Sequence, residues 1–392
     1  MAINIYREPD AMSTPYSSVY FDVSSDESTI VSMIADIYVN TDLVATLTKE
    51  PVLDDSSSFR FDIGDVLKKH FTRDLDLDIT ATNYRDSGGS ASNYYIRAFE
   101  VLDNGTTFDT SWSEDGTGTN YEQSTTLNAF DGLLHYEQVM DDYICESTTD
   151  YILTNRPHNN GVDKDYKTSC LRRGIPFEFG FLVNAKSVEV RVQEFDSDYN
   201  SLTDTTYGTF LPTNDKGFIS HNGTYDNDTK YIKFRVRDSG TNPISYSYIF
   251  KVLAGCESDN VIFWKNQYGS YDYYSFGGNY KKKATSRSKQ YSRRLDFEHN
   301  IGDRGETVRT KTNKEDFTLY TKTENSRVID WLHEILQSTD VYFYDFSVAD
   351  TSKRFIPIII TGGKSSSLDD DNPVTQFSLK YRLANPKQSQ IG

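Results

Sequence analysis

Residues that carry redox, metal and nucleophile chemistry are scarce in this sequence of 392 residues, which holds 3 Cys, 6 His and 4 Met. Cys145, Cys170 and Cys256 stand far apart with no CxxC spacing, so neither a zinc site nor a disulfide framework is indicated and buried free thiols are expected. The histidines (His70, His135, His158, His221, His299, His333) form no HExxH or HxH pattern, and His333 beside Glu334 has no second histidine at metal spacing. GxSxG, a Walker loop and GxGxxG after a strand are all missing. No catalytic, cofactor-binding or metal-binding residue is indicated, and a non-enzymatic role without cofactors is expected. Long hydrophobic runs are missing too. The longest strongly apolar stretch, Phe355–Ile360, is far too short to cross a bilayer, so membrane insertion is not expected. The opening Met1-Ala2-Ile3-Asn4-Ile5-Tyr6-Arg7 lacks the basic and apolar regions of a signal peptide, so synthesis and folding in a cytoplasm are expected. Positive charge is outnumbered: 41 basic against 58 acidic residues give a net charge of -17. A general grip on nucleic acid needs the opposite balance, so specific nucleic-acid recognition is not expected.

Aromatic side chains are abundant, with 28 Tyr and 23 Phe, which argues against disorder and, with β-branched residues between polar turns, favours β-structure. The expected fold class is mainly β: two immunoglobulin-like or fibronectin-like β-sandwich modules and a C-terminal α+β module with one amphipathic helix. Residues 1–123 read as the first sandwich. Its strands are expected at Ser18–Val23, Ile34–Val39, Leu43–Leu47, Phe59–Phe61 and Tyr94–Val101, with a short helix over 62–71 capped by Asp62. Leu75, Leu77 and Ile79 alternate with Asp74, Asp76 and Asp78, which reads as a solvent-facing strand side rather than a metal site. Asp103-Asn104-Gly105 signals a hairpin, and Asp109–Gln123 reads as a loop. Residues 124–170 are expected to connect two domains with some extended pairing. Residues 171–256 read as the second sandwich, in which Ser187–Phe195, Tyr231–Val236 and Ser245–Val252 are strands. Residues 257–392 form the last module. Val328, Ile329, Leu332, Ile335 and Leu336 give the helix Arg327–Gln337 one apolar face, with Ser326 as its cap and Trp331 on its flank.

One feature runs against the acidic background. Lys281, Lys282, Lys283, Arg287, Lys289, Arg293 and Arg294 follow one another with no acid between them. Gly, Ser and Thr around them suggest a long loop or an extended β-arm over 281–294. Two readings stand: a solvated hairpin, or a docking arm that meets an acidic neighbour and forms a subunit interface. Contact with DNA is a third reading, disfavoured by the acidity of the whole chain. Asp196-Ser197-Asp198-Tyr199-Asn200 resembles the start of a calcium loop but lacks the central glycine and closing glutamate, so a hairpin turn is expected. Asn104-Gly105-Thr106, Asn222-Gly223-Thr224 and Asn227-Asp228-Thr229 match glycosylation sequons but read as turns.

The stretch Val261-Ile262-Phe263-Trp264-Lys265-Asn266-Gln267-Tyr268-Gly269-Ser270-Tyr271-Asp272-Tyr273-Tyr274-Ser275-Phe276 resembles a pattern in virion structural proteins of tailed phages, especially crAss-like phages infecting Bacteroidetes. An apolar strand ending in Trp precedes Asn, an aromatic-Gly turn and an aromatic-Asp-aromatic strand. The basic stretch, Asp316–Tyr320, the helix through Trp331, the Val341-Tyr342 strand and Pro357 in an apolar strand fit the same pattern. The resemblance implies a structural component of a phage tail or neck, assembled in the host cytoplasm. It implies a homo-oligomeric ring, twelve-fold among the options, that meets portal, ring or tail proteins and lines or surrounds the DNA channel. An alternative is a glycan-binding tail adhesin or fibre-attachment protein whose Tyr271, Tyr273 and Tyr274 stack on sugars.

Overall fold

The computed structural model describes residues 3–10, 12–16, 19–51, 58–71, 83–86, 88–103, 108–110, 112–113, 118–132, 153–154, 156–157, 170–183, 187–240, 247–253, 260–277, 280–292, 306–321, 326–350, 353–367 and 375–385. The Asp74–Ile79 alternation, Asn104-Gly105, Cys145, Cys256, Arg293 and Arg294 lie outside the described residues. The fold is mainly β, as expected from the aromatic and β-branched composition. The chain divides into two compact units. Met1–Tyr166, Gly174–Val252 and Asn266–Tyr271 make the first, and Lys167–Arg173, Leu253–Lys265 and Asp272–Gly392 the second.

The first unit opens with β1 (Ile3–Arg7), β2 (Met12–Ser13), β3 (Tyr20–Ser25), β4 (Ile30–Val39), β5 (Asp42–Lys49) and β6 (Ser58–Asp62). After α1 (Gly64–Leu67) come β7 (Asn83–Asp86), β8 (Ala91–Asp103), β9 (Phe108–Thr110), β10 (Glu122–Gln123) and β11 (Leu127–Phe130). One sheet has the order β1-β3-β6; another has β2-β11-β8-β4-β5, with β9 and β10 also on β8. Alternation aims Phe21 and Val23 of β3, Phe59 and Phe61 of β6, Ala35 and Ile37 of β4, and Ile96 and Ala98 of β8 into one apolar cluster. The expected helix over 62–71 is one turn followed by a 3-10 turn at Lys68–His70. The Asp62 carboxylate accepts from the Gly64 N–H at 3.1 Å, while the N-cap position is Ile63.

The extended pairing expected within 124–170 is present in β11, which pairs antiparallel with β8 and parallel with β2. The 109–123 loop contains β10, which pairs with β8 at Arg97 and Ala98. The next strands are β12 (Cys170–Arg172), β13 (Phe177–Leu182), β14 (Val188–Phe195), β15 (Ser201–Phe210), β16 (Lys216–His221), β17 (Tyr231–Asp238) and β18 (Tyr248–Leu253). Strands β18, β17, β14 and β15 follow one another in one sheet. The facing sheet has the order β13-β16-β7, so a strand from within residues 1–123 pairs with one from within 171–256. The edge of β16 is completed by a strand far away in sequence, and local alternation carries no record of that choice. Phe177 and Phe179 of β13 meet Phe234 of β17 at ring distances of 5.5 and 5.6 Å, closing the core between these sheets.

The second unit contains β19 (Val261–Lys265), β20 (Tyr271–Ser275), β21 (Tyr280–Ser292), β22 (Glu306–Tyr320), α2 (Ser326–Leu332), α3 (Glu334–Gln337), β23 (Val341–Tyr344), β24 (Phe355–Ser367) and β25 (Thr375–Leu383). Its sheet has the order β20-β19-β23-β24-β25-β22-β21. The expected helix Arg327–Gln337 is two pieces meeting at His333, and Leu336, expected on the apolar face, is exposed. Trp331, expected on the flank, is buried; its indole N–H donates to the Asp272 carboxylate at 3.1 Å. Val328, Ile329, Leu332 and Ile335 cover one face of the sheet, against Phe317, Leu319, Leu379 and Tyr381. On the opposite face of the β24-β25-β22-β21 end, Ile359, Lys364, Lys380 and Arg382 are exposed.

Candidate docking surface

The basic stretch is not a loop but the extended β-arm that its composition also suggested, one strand of an exposed hairpin. It is β21, the last strand of its sheet, with twelve of its thirteen residues exposed. It pairs with β22 from Tyr280↔Leu319 to Ser292↔Glu306, with one irregularity after Lys289. Only Phe317–Tyr320 of β22 pair onward with β25, so the rest of the hairpin is a two-stranded ribbon. Its root is fixed by stacked rings: Tyr280 on Phe317 at 6.2 Å and Phe317 on Tyr381 at 5.0 Å.

Alternation sorts the charges. Phe317 and Leu319 point into the core, so their partners Lys282 and Tyr280 share the core side. Lys281, Lys283, Arg287 and Lys289 therefore share the outer side. Thr285 and Lys314 are paired, which puts Lys314 there as well. The side of Lys281 is confirmed by its ammonium lying 5.4 Å from the ring centre of Tyr320. Lys282 sits on the other side, 5.4 Å over Phe317, and pairs with Glu315 at 2.9 Å. The hydrogen bond to Glu315 holds the Lys282 ammonium above the usual lysine range.

The outer face continues across the neighbouring strands. Thr318 pairs with Lys380, so Lys380 and Arg382 of β25 lie on it, and Lys364 of β24 joins through its partner Ser378. All three cations are exposed. Ile359 of β24, paired with Arg382, stands among them 42% exposed. Asp316, opposite Lys283, is the acid on this face among the described residues. Lys283, Arg287, Lys289, Lys314, Lys380 and Arg382 make no ion pair among the described residues. A band of cations around an apolar spot thus stands on a chain whose net charge is -17.

Of the seven residues expected from sequence, Lys281, Lys283, Arg287 and Lys289 come together on this face, and Lys282 does not. Lys314 belongs to the basic residues that follow the stretch in sequence, while Lys364, Lys380 and Arg382 escaped sequence reading because they lie on two other strands. The local signal was present in Lys380-Tyr381-Arg382, where cations flank a buried ring.

The other candidates close on themselves. Asp196 accepts from the N–H groups of Asp198 and Asn200 at 2.8 and 2.9 Å and from the Asn200 amide at 2.9 Å, which makes the expected hairpin turn. The hydrogen bond from Asn200 holds the Asp196 carboxyl below its usual range. His221 is buried between Phe177 and Tyr225, and its Nδ1 accepts from the Gly223 N–H at 2.9 Å. Desolvation lowers its pKa to about 3. Tyr271 and Tyr273 are 3% and 2% exposed, so neither offers a ring face to a sugar. Among the described residues, no three or more His, Cys, Asp or Glu are grouped to hold a metal. No protein-family model matches the chain, and no curated protein matches it.

Proposed function

We propose that this chain is a structural assembly protein that docks to neighbouring copies of itself through the basic arm of its C-terminal sheet. The carrying observation is the run of exposed cations Lys281, Lys283, Arg287 and Lys289, which make no ion pair among the described residues, on one strand of an acidic chain. Cations without internal partners are little used for stability, since exposed pairs contribute roughly 0–1 kcal/mol each. Across an interface the same charges fix register and suppress wrong partners. The resemblance of residues 261–276 to virion proteins of crAss-like phages supplies the setting: a ring in a tail or neck, made of β-sandwich modules of the immunoglobulin or fibronectin type. The burial of Tyr271 and Tyr273 weighs against the sugar-stacking alternative.

Sedimentation of the purified chain and of a variant with Lys281, Lys282, Lys283, Arg287 and Lys289 all replaced by Ser tests the proposal. The parent is expected to associate at about 0.15 M salt, where screening reaches beyond roughly 8 Å. The variant is expected to associate much more weakly with its melting curve intact. A parent that stays monomeric at every salt concentration, or a variant that assembles like the parent, would sink the proposal.

A further inference from the structure

We infer that the surface receiving the second copy is the whole outer face of β24, β25, β22 and β21, read through the side on which its cations stand and not through the charge of the arm. This rests on the assembly reading above. The register sets Lys314 beside the cations of β21 and brings Lys380 and Arg382 onto the same face from a strand more than sixty positions later. Lys282, on the opposite side, is already satisfied by Glu315, and so belongs to the ribbon's own structure.

The free edge of β21 is a poor docking element. Two such strands laid edge to edge would set lysine against lysine, which is the way natural sheets prevent edge pairing. The face has no such conflict. It spans roughly 26 Å from Lys281 to Lys289 at about 3.3 Å per residue. Exposed Ile359, beside Arg382, supplies the apolar centre that a charged rim lacks. The occupant is a second copy because the net charge of -17 gives each copy the complementary acid in excess.

Relocating charge separates this from a net-charge effect. One variant carries Lys283→Ala with Ala284→Lys, Arg287→Ser with Ser288→Arg, and Lys289→Ser with Ser286→Lys. Its composition and net charge equal the parent's, but three cations have changed sides. A second variant, Lys380→Ser with Arg382→Ser, leaves the arm untouched and alters only exposed positions. Both are expected to weaken self-association of the full chain about tenfold in sedimentation at about 0.15 M salt, several weak pairs being lost together. If the relocated variant associates like the parent while the five-serine variant does not, the arm acts through net charge; this inference fails and the assembly reading stands. If Lys380→Ser with Arg382→Ser changes nothing, the surface stops at the arm and the inference fails as well. If even the five-serine variant associates like the parent, both fail. Should the relocated variant melt early, the β25 variant decides alone.

Discussion

Gly269 has a backbone φ of +74°, and a Cβ there would lie 1.7 Å from the Asp131 carbonyl oxygen. Conformation and space both demand glycine at the turn that Asn266 organises by accepting from the N–H groups of Tyr268 and Ser270, each at 3.0 Å. Gly269→Ala is therefore expected to cost at least about 2 kcal/mol in urea unfolding; a loss within about 0.5 kcal/mol, the ordinary range of surface substitutions, would contradict this geometry. His221 makes a second residue-scale prediction. Its pKa is depressed in the folded chain to about 3, from an ordinary value near 6.5. The unfolded chain therefore takes up a proton that the folded chain refuses. Its contribution is fully present above about pH 6.5 and is lost as pH falls toward about 3, at a slope of at most about 1.4 kcal/mol per pH unit. Unfolding measured at pH 7 and pH 5.5 should show this loss in the parent and a smaller one in His221→Gln. Equal losses would mean that His221 is not the titrating group.

At the level of elements, the ribbon needs its root. A two-stranded hairpin is marginal alone in water, and β21 and β22 gain a third strand only at Phe317–Tyr320. Phe317 carries the stack from Tyr280 to Tyr381 and is 8% exposed. Phe317→Ala is expected to cost about 3 kcal/mol and to speed amide exchange along β21. Unchanged exchange would show that the ribbon holds itself. Elements with their own periodicity were legible in the sequence: Val188–Phe195 alternates cleanly, and Val261–Lys265 and Val341–Tyr344 announce themselves by apolarity. The pairing of β7 with β16 was not legible, because a short polar strand carries no mark of a partner more than a hundred residues away. The break at His333 was hidden for another reason. The apolar spacing of Val328, Ile329, Leu332 and Ile335 suits one helix or two. For the docking surface, the charge run was visible but its sidedness was not. Alternation sorts each strand, yet which side faces solvent is decided by α2, α3 and the pairing of β22 with β25.

The molecule as a whole sets two electrostatic ranges against each other. Each copy carries a net charge of -17, so two copies repel at long range. The basic face attracts acid only at contact. At 0.01 M salt the screening length is about 30 Å, and repulsion between whole bodies is felt before the face can engage. At 1 M it is about 3 Å, and the contact pairs themselves are weakened. Between these limits, near 0.1 M, the screening length of about 10 Å removes most of the repulsion and leaves close pairs in force. Self-association of the parent should therefore pass through a maximum as salt is raised. The five-serine variant has lost the attraction and is more acidic, so its association should only rise with salt, toward whatever apolar contact remains. Sedimentation of both proteins from 0.01 to 1 M salt distinguishes the two shapes. A parent whose association falls steadily from the lowest salt would show that the face outweighs the whole-body charge at every distance; one that rises steadily would show that its cations take no part in the contact.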